Sequence, residues 1–239
     1  MTAVAHRLAD NTDFNLGCFW GGRVESAEEV AGKTAATLQG LAGVFPVDGW
    51  RYAQGRVWRP WPAAAVEQTL WVESQVFRAE DGLPEPVNGY SFSLSQDFDG
   101  LFIELWINAG GSIRGGRVPV NRAGVTAFET APGGFTPAVV DPLVDAVIEV
   151  WEPWTANFRD QAVLDLARPT GSWQVPLGYR VWVHASVGAI LEAAPGVLVS
   201  HRRSGTLLSV PDEWTAPQVV EAMRATLAMN DIDEVAHEK

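Results

Sequence analysis

The sequence predicts an α+β fold: a single domain in which helices flank a mostly antiparallel sheet. Three observations predict it. Tyr90-Ser-Phe-Ser-Leu-Ser95 alternates strictly between apolar and polar residues, as a strand with one buried face must. Val140, Leu143, Val144, Val147, Ile148 and Trp151 recur at helical spacing and make one apolar stripe. Helices come first, then strands, then a mixture, which is the order of α+β rather than alternating α/β chains. No repeat, low-complexity tract or linker divides the 239 residues. One domain over residues 1–230 is therefore expected, followed by an acidic tail, 231–239, that frays.

Taken in order, Phe14 to Trp20 reads as a short buried strand broken by Gly21-Gly22. Ser26-Ala-Glu-Glu29 is a capping box, in which the Ser hydroxyl caps a backbone N–H and Glu29 reaches back. Apolar residues at helical spacing after it predict a helix over 26–43. Residues 46–62 read as irregular, punctuated by Pro and Gly. A second helix over 63–78 is expected to turn Val66, Leu70 and Phe77 to one side. Residues 90–95 and 101–107 should pair as a hairpin. Two more short strands are expected at 117–120 and 124–128, with Pro119 marking an edge. The helix over 137–151 is stopped by Pro153. Residues 161–166 read as a strand, and 179–184 alternate again. Residues 196–210 form a hairpin turning near Arg203-Ser-Gly205, and a last helix over 215–229 turns Val219, Met223 and Leu227 inward.

The eleven Trp are more than a chain of this length usually carries, and each ring must hide a large area. Trp20, Trp106 and Trp151 are expected in the core. The net charge is −12 and the pI about 4.7. Such a chain repels nucleic acid and anionic membranes and favours cationic partners. Its single cysteine, Cys18, lies in an apolar run and reads as a small buried hydrophobe. With no apolar leader and no long apolar run, a cytoplasmic protein is expected.

No catalytic signature emerges. The four His lack ligand spacing, so no metal or other cofactor is expected, and His184 reads as structural. Residues 110–116 are Gly-rich but lack the Lys-Ser/Thr of a phosphate loop, and read as a mobile connection between strands. Asp141, Asp145, Glu149 and Glu152 make an acidic stripe at helical spacing. The first reading of such a stripe is a solvated face; the second is a surface for a basic partner. Like charges at that spacing destabilise a helix by about 0.2–0.5 kcal/mol per pair, a cost that a Lys- or Arg-bearing partner offsets.

Three blocks carry a resemblance: Trp20-Gly21-Gly22-Arg23-Val24-Glu25-Ser26 before the first helix, Trp151-Glu152-Pro153-Trp154 ending the middle one, and Gly178-Tyr179 with Trp182 in a late strand. In this order they resemble the immunity protein 52 family. Its members open with Trp-Gly-x-Arg and then Glu-Ser before a long helix. They carry a helix ending in Trp-x-Pro and a late Gly-aromatic strand, often Gly-Trp with a Tyr shortly after. Here those two aromatics are exchanged, and Val30 or Ala31 stands where the family often has a Cys. The resemblance spans about 14–210. It implies a non-enzymatic protein of interbacterial competition that binds and neutralises a cognate toxin of a polymorphic toxin system, often a restriction-endonuclease-like nuclease. An acidic inhibitor suits a nuclease with a basic surface. The acidic stripe is the candidate toxin-binding surface, and Arg23 and Glu25 are expected to be structural. The rival reading is an aromatic-rich module for carbohydrate or another small ligand, with Trp50, Trp58 and Trp61 as its platform.

Overall fold

The protein is described here by a computed structural model over residues 13–113, 118–131, 137–168 and 171–237. Its frame is a ten-stranded antiparallel sheet built outward from β1 (Asp13–Trp20). On one side β1 pairs with β6 (Asn121–Glu129), which continues to β5 (Leu101–Ala109), β4 (Tyr90–Phe98), β2 (Arg51–Gln54) and the edge strand β3 (Val57–Pro60). On the other side β1 pairs with β7 (Thr155–Asp160), followed by β8 (Arg180–His184), β10 (Gly205–Ser209) and the edge strand β9 (Leu198–Arg202). The helices are α1 (Ala27–Gly40), α2 (Ala65–Ser74), α3 (Pro137–Trp151), α4 (Gln161–Ala167) and α5 (Ala216–Met229). One sheet with flanking helices makes this an α+β domain.

Alternation along β1 divides the two faces. Phe14, Leu16, Cys18 and Trp20 are buried on the face that carries α1 and α3. All six residues of the α3 apolar stripe are buried. Asn15, Gly17 and Phe19 point the other way, in register with Arg159, Asn157 and Thr155 of β7. There Phe19 meets Trp173 edge-on at 6.0 Å. The segment around Trp173 lies against the C-terminal residues: the Val175 N–H donates to Asp233 O and the Val235 N–H to Trp173 O, both at 2.9 Å. Towards β5 this second face is more open, with Trp106 only half-buried and Arg122 exposed.

The hairpins at 90–109 and 198–209 and the helices at 26–43, 137–151 and 215–229 stand where the sequence puts them, within a few residues at their ends. The other elements differ for identifiable reasons. Residues 161–166 form α4, not a strand, because the Asp160 carboxylate accepts from the Val163 N–H at 2.7 Å and caps a helix. The strand is the preceding β7. Residues 121–129 form the single strand β6, and Pro119 precedes it rather than marking an edge; Arg117 lies outside the described residues. The expected helix over 63–78 is the shorter α2, which ends at Ser74 and leaves Phe77, 45% exposed, beyond it; within α2 Val66 is 72% and Leu70 60% exposed, while Gln68 and Val72 turn in. The span 46–62, read as irregular, holds β2 and β3. Of the Gly-rich stretch 110–116, Gly110 and Gly111 are buried, and Asn121 holds Gly111 by both its N–H and its C=O, at 2.9 Å each; residues 114–116 lie outside the described residues. The acidic tail is packed through residue 237: Ile232 and Val235 are buried and His237 stacks on Trp173 at 4.6 Å. Among the described residues no helix is long and apolar enough to cross a membrane.

Burial pushes the Cys18 thiol up to about 12, against smaller opposing effects of an Ala123 backbone bond and Arg23. Native protein at pH 8 should therefore react with a thiol reagent at least ~100-fold more slowly than the urea-unfolded chain. At α1 the capping box is formed in full: the Ser26 N–H donates to Glu29 Oε2 at 2.7 Å and the Glu29 N–H to Ser26 Oγ at 3.2 Å. Ser26→Ala should cost about 1 kcal/mol in denaturant unfolding. The bonds from Ser26, its backbone N–H foremost, hold the Glu29 carboxyl below its ordinary value. A lowered native value gives a contribution present above the unfolded value and lost as pH falls through the native one. Glu29→Gln should flatten stability in that acid window, measured against wild type.

Candidate functional site

The first two motif blocks and Trp182 of the third, far apart in sequence, meet at one corner of the sheet, at the Trp20 end of β1; Gly178 and Tyr179 lie at the other end of β8, beside Phe158 and Asp160. Trp20 at the end of β1 stacks on Trp151 at the end of α3, with centroids 5.5 Å apart. The Trp151 indole N–H donates to Thr37 Oγ1 of α1 at 3.0 Å, fixing the ring between two helices and the sheet. Gly21 is required because the Trp154 ring occupies the space of its Cβ. Pro153 ends α3, and its carbonyl accepts from the Trp182 indole N–H at 2.9 Å. The backbone is tied across the same corner: the Trp154 N–H donates to Phe19 O and the His184 N–H to Trp154 O, each at 2.9 Å. Gly178 lies against the Phe158 carbonyl, and the Tyr179 hydroxyl donates to Asp160 Oδ2 at 3.2 Å.

Arg23 and Glu25 close this corner. The Arg23 guanidinium lies 5.1 Å over the Trp20 ring, donates to the Trp151 carbonyl at 3.1 Å and sits 3.1 Å from Glu25 Oε1. Glu25 is buried and also pairs with Lys33 of α1. Ser26 then caps α1. Most of these motif side chains thus bond or pack inside the fold, although Trp20 Nε1 and Glu25 Oε2 are buried with no hydrogen-bond partner among the described residues. Trp20 and Trp151 are buried as expected, whereas Trp106 is half-buried, its ring lying over Gly124.

Asp141, Asp145 and Glu149 lie on the α3 surface, whereas Glu152 follows its last residue with a left-handed φ of 46° and so leaves the helical stripe; part of this acidic set is already paired. Asp141 Oδ1 accepts from Arg180 Nε at 2.8 Å, and Arg180 Nη1 donates to Asp212 at 2.8 Å. Burial alone would lower the Arg180 value; the bonds to Asp212 and Asp141 outweigh it and raise it. Asp145 pairs with Arg202 at 3.4 Å. Glu149 and Glu152 are exposed, and no Lys or Arg among the described residues forms an ion pair with either. The aromatic platform of the rival reading is not assembled. Trp50 is fully buried and Trp61 partly so, leaving Trp58, 56% exposed, as its accessible ring. No group of three or more His, Cys, Asp or Glu among the described residues stands ready for a metal.

One feature of the second face has no counterpart in the sequence reading. Arg159 of β7 is half-buried, yet its Nε and Nη1 are shut off from solvent and have no hydrogen-bond acceptor among the described residues. A buried unsatisfied donor costs about 1–3 kcal/mol, more when charged. Burial lowers the Arg159 value, with no carboxylate to restore it. It stands between two clefts of about 320 and 290 Å³. The signal available in sequence was an Arg inside a strand, but β7 itself was placed one segment too late.

No family model matches the chain, so the likeness to immunity protein 52 rests on the short motifs alone. No curated protein is similar to it. Among solved structures, a T6SS protein of Pseudomonas aeruginosa superposes with a TM-score of 0.44 at 7% sequence identity, over 95% of this chain and 72% of that one. The duplicated taurocyamine kinase of Schistosoma mansoni, with bound transition-state-analogue components, gives 0.26 at 12% identity, over 96% of this chain but 33% of that one. Likenesses this distant carry no functional argument.

Removing Arg23 leaves the Trp151 carbonyl without its donor and Glu25 with Lys33 alone. Arg23→Ala should cost about 1–3 kcal/mol in equilibrium unfolding. Glu25→Ala should cost at least as much, since it strands two cations beside the core.

Proposed function

We propose that the protein is an immunity-type inhibitor that binds a cognate bacterial toxin with a basic surface, of which a nuclease is the first candidate, and blocks it one-to-one without turnover. The observation that supports this most is charge and its placement. The chain carries −12, and Glu149 in the last turn of α3 and Glu152 just past its end are exposed without cationic partners among the described residues. Nearer the start of the helix, Asp141 and Asp212 share one guanidinium, Arg180, so that cluster keeps a residual negative charge. The Asp141 side chain is 64% and that of Asp145 38% exposed, so both remain within reach of an incoming Lys or Arg. The short-motif resemblance agrees with this reading. The internal use of the motif residues is consistent with a scaffold whose partner contacts lie elsewhere on its surface.

Binding through an acidic stripe should be fast and should slow steeply as salt rises. Co-expression with the toxin encoded beside it should yield a one-to-one complex. Glu149→Gln with Glu152→Gln should slow association several-fold, roughly the effect of removing two steering charges, with little change in melting temperature. Protection by substoichiometric protein, or a covalently altered toxin, would overturn occlusion. Unchanged association after neutralising all four acids would place the interface away from α3.

A further inference from the structure

Arg159 Nε and Nη1 have no acceptor among the described residues, and the neighbouring positions on its face of the sheet supply none. Its register neighbour is Asn15, and the next residue on its own face is Asn157, whose amide is committed to the Leu177 carbonyl at 2.9 Å. The contrast within the molecule is direct. Arg180, itself buried, is met by two carboxylates and two carbonyls, whereas Arg159 Nε and Nη1 are met by none among the described residues. The cleft of about 320 Å³ beside Arg159 gathers two further cations, Arg168 after α4 and Arg224 of α5. Its single acid is Asp233, which already accepts from the Glu234 N–H at 2.8 Å. Three arginines facing one carboxylate is a local reversal of sign in a chain of net charge −12. The remaining wall is apolar and includes Val175, Leu227 and Ile232.

From this placement we infer that the cleft binds a small organic acid, a monocarboxylate with a short apolar body. The guanidinium supplies the planar donors that a carboxylate accepts. Arg168 and Arg224 add attraction at the rim, and the apolar wall takes the body of the ligand. Asp233 on the same wall disfavours a dianion such as a phosphate monoester. The volume is at the small end of the ~300–1,000 Å³ typical of such sites. The cleft lies on the sheet face opposite α3, so this inference stands apart from toxin binding.

The test uses the full chain and hexanoate, with hexanol and hexylamine as controls, followed by NMR on the arginine Nε–H resonances. Hexanoate should shift the Arg159 resonance saturably, at least about tenfold more tightly than hexanol, the difference expected for a charge-assisted pair. Arg159→Leu should lose that binding and melt at the same or a higher temperature, because it replaces an unpaired half-buried charge by apolar volume. Arg224→Ala, on the exposed rim, should weaken binding several-fold. Equal affinity for hexanol, undiminished binding in Arg159→Leu, or no saturable shift with hexanoate would each overturn the inference. A large fall in the melting temperature of Arg159→Leu would do so too, since it would mean that the guanidinium already has a structural partner. If that variant does not fold, Arg224→Ala and the hexanol comparison decide.

Discussion

The stack of Trp20 on Trp151 is the contact on which the rest of the structure depends. Strand β1 is the middle of the sheet, flanked by β6 and β7, and α3 must carry the chain from one flank to the other. The end of α3 therefore has to arrive at the end of β1. The stacked indoles set that meeting point, and Gly21 leaves the space into which Trp154 turns. From there the register is handed outward through backbone bonds, Phe19 to Trp154 to His184, so β7 and β8 inherit their positions from β1. A buried Trp hides enough apolar area to outweigh the cost of placing the Arg23, Glu25 and Lys33 charges beside it.

Much of this was legible in the sequence, and the parts that were not share a physical cause. The capping box at Ser26, the strand pattern of 90–95 and the apolar stripe of α3 are local signals that survive into the fold. Where the packing partner decides, local pattern misleads. The apolar side of α2 is exposed because it is Gln68, bonded to the Pro62 carbonyl, that turns inward with Val72. Strands β2 and β3 carry almost wholly exposed residues, so no hydrophobic alternation marks them. The β7–α4 boundary depends on a single capping aspartate, Asp160. The tail reads as fraying, yet Ile232 and Val235 are buried and anchor it while its acidic residues stay exposed.

The candidate sites follow the same division. That Arg23 and Glu25 would bond to each other and to the local backbone could be read from an Arg placed between a strand end and a helix cap. That Asp141 and Asp145 already hold Arg180 and Arg202 could not, because those arginines lie some 40 to 60 residues further along. Nor could Arg159 be recognised: its character lies in the acceptors it lacks, and sequence does not display a missing neighbour. The fold thus separates two kinds of surface, an acidic helix on one face of the sheet and an arginine-lined cleft on the other, joined by a core that uses its most distinctive residues to hold itself together.

Native-state hydrogen exchange tests that central claim most directly. If the Trp20–Trp151 corner holds the sheet, the Arg23, Trp154 and His184 amide protons, which bond to Gly111, Phe19 and Trp154, should exchange only through global unfolding. Their opening free energy should then equal that of denaturant unfolding. Exchange of these three amides through a local opening several kcal/mol below the global value, while β5 and β6 stay protected, would contradict the account.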